Sequence, residues 1–204
     1  MLTLWSKPGN FRSDRGSLHS VSGIFFCLVL CYLLGGLPAG LWAQGEDDAE
    51  YKIKLAFLYN FTQFIQWPPD AFQDANAPLM VCVAGTDPFH SEIEQELRGR
   101  LVGGHPIEIR KFRSNDQPAA CHIIFIPAAE KKLAEKLVPA AKGSSTLTVG
   151  EIKGFADMGG VINLTVEQNK LRFEINLEAA MQTRLKISSK LLALAKIVKV
   201  GQAP

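Results

Sequence analysis

The absences in this chain narrow its chemistry. Its 204 residues contain no GxGxxG, no GxxxxGK(S/T) and no GxSxG. The glycine-rich phosphate cradles and the strained serine elbow are therefore missing. A dominant charge sign is missing too, with 22 Lys and Arg against 20 Asp and Glu. Residues 1–43 hold Lys7, Arg12 and Arg15 against Asp14, so the remainder carries 19 bases and 19 acids. A near-neutral domain has no electrostatic case for binding nucleic acid or an anionic membrane. Cysteine is scarce, at four residues, and two of them (Cys27 and Cys31) fall in the first segment. There is no internal repeat and no low-complexity run.

Long apolar runs are also scarce. The single one, Gly23–Leu37, follows Lys7, Arg12 and Arg15 and precedes Leu41-Trp42-Ala43. At about 15 residues it is shorter than the roughly 20 a spanning helix needs. The layout is that of a secretory signal peptide cleaved after Ala43. Cys82 and Cys121 then remain, and an even pair in an exported chain is most simply a disulfide. Metal binding is the alternative, but neither cysteine has a CxxC or a His pair at ligand spacing beside it.

The remainder reads as a polar leader, residues 44–49, and one domain over residues 50–200. YKIKLAFLYNFTQFIQW places Ile53, Phe57, Phe61 and Phe64 at helical spacing, and Trp67-Pro68-Pro69 stops the helix. Apolar strands at 79–85, 106–112, 121–127 and 145–151 then alternate with helical segments, the last of them AAEKKLAEKLVPAAK. A hairpin follows, turning at Gln168-Asn169-Lys170. The fold class is α/β: a single compact domain with a mostly parallel sheet, helices on both faces and a C-terminal antiparallel hairpin. Asn176 is placed to cap a short helix with Glu178 in its first turn. Ile187, Leu191, Leu194 and Val198 form the stripe of a last amphipathic helix.

Candidate sites are few. Gly85, Thr86 and Asp87 close the first buried strand and open a helix, a corner where open α/β sheets receive ligands. That makes a small-ligand sensor the alternative reading, although Asp87 would repel a phosphate and helix capping is the simpler account. Cys121 and His122 are neighbours on a strand and point to opposite faces, so they are not partners. His90, His105 and His122 have no metal-site spacing, and no metal or cofactor is expected. No nucleophile sits beside a base, so no catalytic residue and no enzymatic activity are expected. The polar face of the strand Arg172–Asn176, led by Glu174, the outer side of the last helix with Leu191, and Phe155 beside Gly154 are the candidate partner-binding residues.

Together, YKIKLAFLYNFTQFIQWP, LMVCVAGTDPF, CHIIFIP and FADMGGVINLTVEQNKLRFEINLEAAMQTRLKISSKLLALAKIV resemble the YfiR-like family of periplasmic regulatory proteins. The likeness runs from about Tyr51 to Val198. It implies a compact α/β domain that often self-associates, here as a homodimer, and a non-enzymatic role in the periplasm. That role is repression of an inner-membrane diguanylate cyclase through its periplasmic sensor region, and so control of cyclic di-GMP signalling and biofilm formation. An outer-membrane lipoprotein governs release. Cys82 and Cys121 match the positions of a family disulfide. Two departures stand out: a second cysteine pair found in some relatives around Phe155–Asn163 is missing, and Arg184 stands where relatives often have glycine.

Overall fold

The structure, a computed structural model, describes residues 40–86, 95–113 and 115–199. The expected signal peptide falls mostly outside these residues, as do Asp87 and most of the helix expected after it. Residues 95–97 of that segment are helical.

The first element is the helix α1 (Gly40–Phe64), which takes in the residues expected as a polar leader. Its buried stripe is Leu55, Leu58 and Phe61, continuing to Ile65 just beyond it, and Ile53 is 51% exposed. The expected stripe is thus turned about the helix axis. Apolar residues occupy most of the circumference here, so tertiary packing chooses which ones go inside. Phe57 and Phe61 both meet Phe173 edge to face, with centroids at 6.0 and 5.2 Å. The helix ends because β1 (Ile65–Gln66) turns extended ahead of Pro68 and Pro69.

The sheet follows: β2 (Leu79–Ala84), β3 (Leu101–Val102), β4 (His105–Phe112), β5 (Ile123–Ile126), β6 (Leu147–Gly150), β7 (Ile162–Glu167) and β8 (Lys170–Asn176). Between β5 and β6 runs α2 (Lys131–Ala141). After β8 come α3 (Leu177–Met181), β9 (Lys186–Ile187), α4 (Ser189–Leu194) and β10 (Lys196–Val198). Eight strands form one sheet in the order β10-β8-β7-β6-β5-β2-β4-β3, while β1 and β9 pair separately. Strands β4, β2, β5, β6 and β7 are mutually parallel. Their order is that of an open doubly wound sheet, with its switch point between β2 and β5.

The two faces carry separate cores. Leu79, Val81, Val83, Ile123 and Phe125 face the side covered by α1. Cys82, Ala84, Ile124 and Ile126 face α2, which contributes Ala134, Leu137 and Val138. Residues at both parities are apolar because both faces are covered. β7 and β8 form the expected antiparallel hairpin, with Glu167 opposite Lys170. Gln168 and Asn169 turn it at φ 51° and 57°, the left-handed pair of a two-residue hairpin loop.

The last segment departs from expectation. Instead of one helix from Ile187 to Val198, Ile187 pairs antiparallel with Ile65 and α4 has six residues. Ser188 caps α4, accepting the Leu191 N–H at 3.4 Å. Ala195 is extended, and β10 joins β8 in parallel with Ile197 opposite Ile175. Of the one apparent stripe, Ile187 and Val198 therefore pair with different strands, Leu191 enters the core and Leu194 is exposed.

Candidate functional site

A disulfide joins Cys82 and Cys121, with Cα atoms 5.9 Å apart across 39 residues. Both cysteines are buried, Cys82 within β2 and Cys121 two residues before β5. The bond ties the two strands that flank the switch point. His122, the next residue, serves backbone. Its Nδ1 accepts the Met80 N–H at 2.9 Å, which leaves Nε2–H to donate to the Ala71 carbonyl at 3.1 Å. Phe72 lies between His105 and His122, with ring centroids at 3.6 and 4.4 Å. Burial, outweighing the Ala71 hydrogen bond, lowers the His122 pKa to about 4. Among the described residues no group of three or more His, Cys, Asp or Glu is placed to hold a metal.

The expected crevice at Gly85 and Thr86 is occupied by the chain itself. Thr86 N–H donates to Glu130 Oε1 at 2.9 Å. Gly85, at φ +74°, lets that carboxylate in; a Cβ there would lie 2.2 Å from the Glu130 Cδ. An intramolecular carboxylate thus takes the N–H that an anionic ligand would use.

Two of the three candidate partner residues are not at the surface. Phe155 is 0% exposed, its ring clamped between Gly150 and Gly160, where added Cβ atoms would come within 2.5 and 2.1 Å of it. Leu191 is 3% exposed, because the short α4 turns it into the core. Glu174 is partly exposed and reaches Lys196 on the neighbouring β10 at 3.0 Å.

Glu174 lies on the wall of a cleft about 1030 Å³ in volume. The cleft lies beyond the C-terminal end of β6 and is bounded by the 151–157 loop, the β7–β8 hairpin, β10 and residues 50–54 of α1. Its polar core was not foreseen. Lys54, 5% exposed, bonds Glu50 at 2.7 Å and Glu151, and lies over the Tyr51 ring at 4.2 Å. Glu151 Oε1 also accepts the Ala128 N–H at 3.0 Å. Burial works against the charge on Lys54, but its bonds to Glu151 and Glu50 outweigh that and hold its pKa above the usual lysine value. Burial, and the negative charge of Glu151, raise the Tyr51 pKa. The Glu50–Lys54 spacing of four was the one readable signal; the partner in Glu151 is nearly a hundred residues away.

The loop beneath the cleft is held by buried amides. Asn163 Oδ1 accepts the Ile152 N–H at 3.1 Å, and Asn176 Nδ2 donates to the Ala156 carbonyl at 2.9 Å. Asn176 Oδ1 caps α3 through the Ala179 N–H at 3.0 Å, as its position suggested. These bonds and the Phe155 clamp brace the segment that has no second disulfide here.

Fold and site together define a disulfide-tied, doubly wound α/β domain organised around a cleft and its rim. The YfiR/HmsC-like family pattern matches residues 51–196, and the chain belongs to that family. The family is a regulatory, non-catalytic one and generally periplasmic.

Proposed function

We propose that this protein is a periplasmic regulator that represses an inner-membrane diguanylate cyclase by contacting its periplasmic sensor region. The observation that carries the reading is the family match over residues 51–196. An export signal in residues 1–43, cleaved after Ala43, would deliver it. Repression needs only a surface that binds one state of the sensor better than the other, by about 1–3 kcal/mol. The exposure of Val166 (60%) and Ile197 (40%), both on the lining of the cleft, supports the rim as that surface. Release by an outer-membrane lipoprotein would act by competition for this rim.

Deleting the gene and measuring cellular cyclic di-GMP tests the reading. A rise that is reversed by the wild-type chain, but not by Val166→Asp at equal periplasmic abundance, is the expected result. Unchanged cyclic di-GMP with no membrane sensor co-purifying would overturn it.

A further inference from the structure

The border of the sheet away from the cleft leaves backbone without a partner. β4 pairs with β2 from Ile107 to Phe112, whereas on its other side β3 covers only His105 and Pro106. Ile107 fixes the phase of that outer side. Its N–H donates to the Arg100 carbonyl at 2.8 Å, and its carbonyl accepts the Gly99 N–H at 3.2 Å. Backbone groups alternate between the two sides of a strand, so those of Ile109 and Lys111 also point away from β2. Among the described residues, the N–H and carbonyl of Ile109 and of Lys111 have no partner. Residues 108–112 thus present an open edge about 16 Å long, the length of an ordinary strand.

Such an edge can take up an extended segment of another chain, and charge selects which. Arg110, Lys111 and Arg113 stand along it against Glu108 and Asp116. Asp116 is already engaged, by Arg110 at 2.6 Å and by the Arg113 N–H at 2.8 Å. The exposed side chains of Lys111 and Arg113 have no partner among the described residues. A second copy is a poor fit. Residues 99–102 already lie beside Ile107 and the two residues before it, so two antiparallel copies meet across Arg110 or Lys111. Either register sets a cation against its own like. The same lysine that keeps copies apart attracts a strand of opposite charge.

We propose that the outer edge of β4 receives an extended acidic segment of a partner protein, which adds a strand beside Ile109 and Lys111 and sets carboxylates against Arg110 and Lys111. This surface is separate from the cleft rim, and its test needs only the purified mature protein. The probe is acetyl-Thr-Val-Glu-Glu-Val-Thr-amide, which reads alike in both strand directions, and the control replaces its two Glu with Lys. Amide hydrogen exchange followed by NMR is the readout. In the free protein the Ile109 and Lys111 amides exchange fast, while those of Glu108 and Arg110, which face β2, are protected. The acidic peptide slows exchange at Ile109 and Lys111, and the basic one does not. Lys111→Glu keeps the fold, since the side chain is exposed, and lowers affinity for the acidic peptide about fivefold, the scale of one cross-strand charge pair. Ile109 and Lys111 amides protected in the dilute free protein would show the edge already covered and overturn the proposal. Protection that rises with protein concentration alone would assign the edge to a second copy and overturn it too. So would equal binding of the two peptides, or no binding of the acidic one.

Discussion

Acid should destabilise the domain by breaking the hydrogen bond between His122 and the start of β2. The perturbation is protonation of His122, whose Nδ1 lone pair holds the Met80 N–H at the start of β2. A proton there turns an acceptor into a donor facing another donor. The folded pKa of about 4 lies below the ordinary value of 6.5. The unfolded chain therefore takes up the proton first as pH falls. The stabilisation from neutral His122 is complete above about pH 6.5 and is lost progressively down to about pH 4. The full shift would correspond to about 3 kcal/mol, and solvent screening of a partly exposed ring reduces this to about 1–3 kcal/mol. Urea unfolding from pH 7.5 to 4 measures the loss. His122→Asn keeps an acceptor for Met80 but does not titrate, so its stability should fall less over that interval. Carboxylates titrate equally in both proteins and cancel in the comparison. Parallel pH profiles for the two would refute the reasoning.

Replacing Cys82 and Cys121 together with alanine should cost about 3–4 kcal/mol, the loop-closure value for a 39-residue separation, read from denaturant midpoints. Phe155→Ala should destabilise by about 3–5 kcal/mol and raise amide exchange selectively in residues 151–160. Gly160→Ala places a Cβ 2.1 Å from the same ring and should cost about 1–3 kcal/mol. Phe155→Leu in that background should recover part of the loss, since the two residues share one space.

The elements that could be read from sequence are those whose cause is local. β2 and β5 show as apolar runs because both their faces are covered. The β7–β8 turn shows in Gln168-Asn169, and the α3 cap in Asn176. The last segment could not be read in this way. Ile187 answers to Ile65, more than a hundred residues earlier, and Ile197 to Ile175, and helical periodicity cannot register a strand partner at such distances. Phe155 beside Gly154 suggested an exposed loop; the informative glycines were Gly150 and Gly160, which clear space on either side of the ring. The Gly85 corner was correctly placed at a strand end, but its occupant, Glu130, comes from a later part of the chain. Lys54 and Glu151 became a pair only once α1 lay across the sheet.

The short outer strands bear on self-association. The eight-stranded sheet ends in β3, two residues long, and β10, three residues long, the latter beginning at Lys196 and followed by Lys199. β3 covers only His105 and Pro106 of β4, so the rest of that strand has no second ladder partner among the described residues, whereas at the other border the lysines of β10 would repel those of a second copy. Joining copies through the β10 border would therefore set lysine against lysine, which leaves the edge of β4 as the longer stretch of backbone at the sheet's margin.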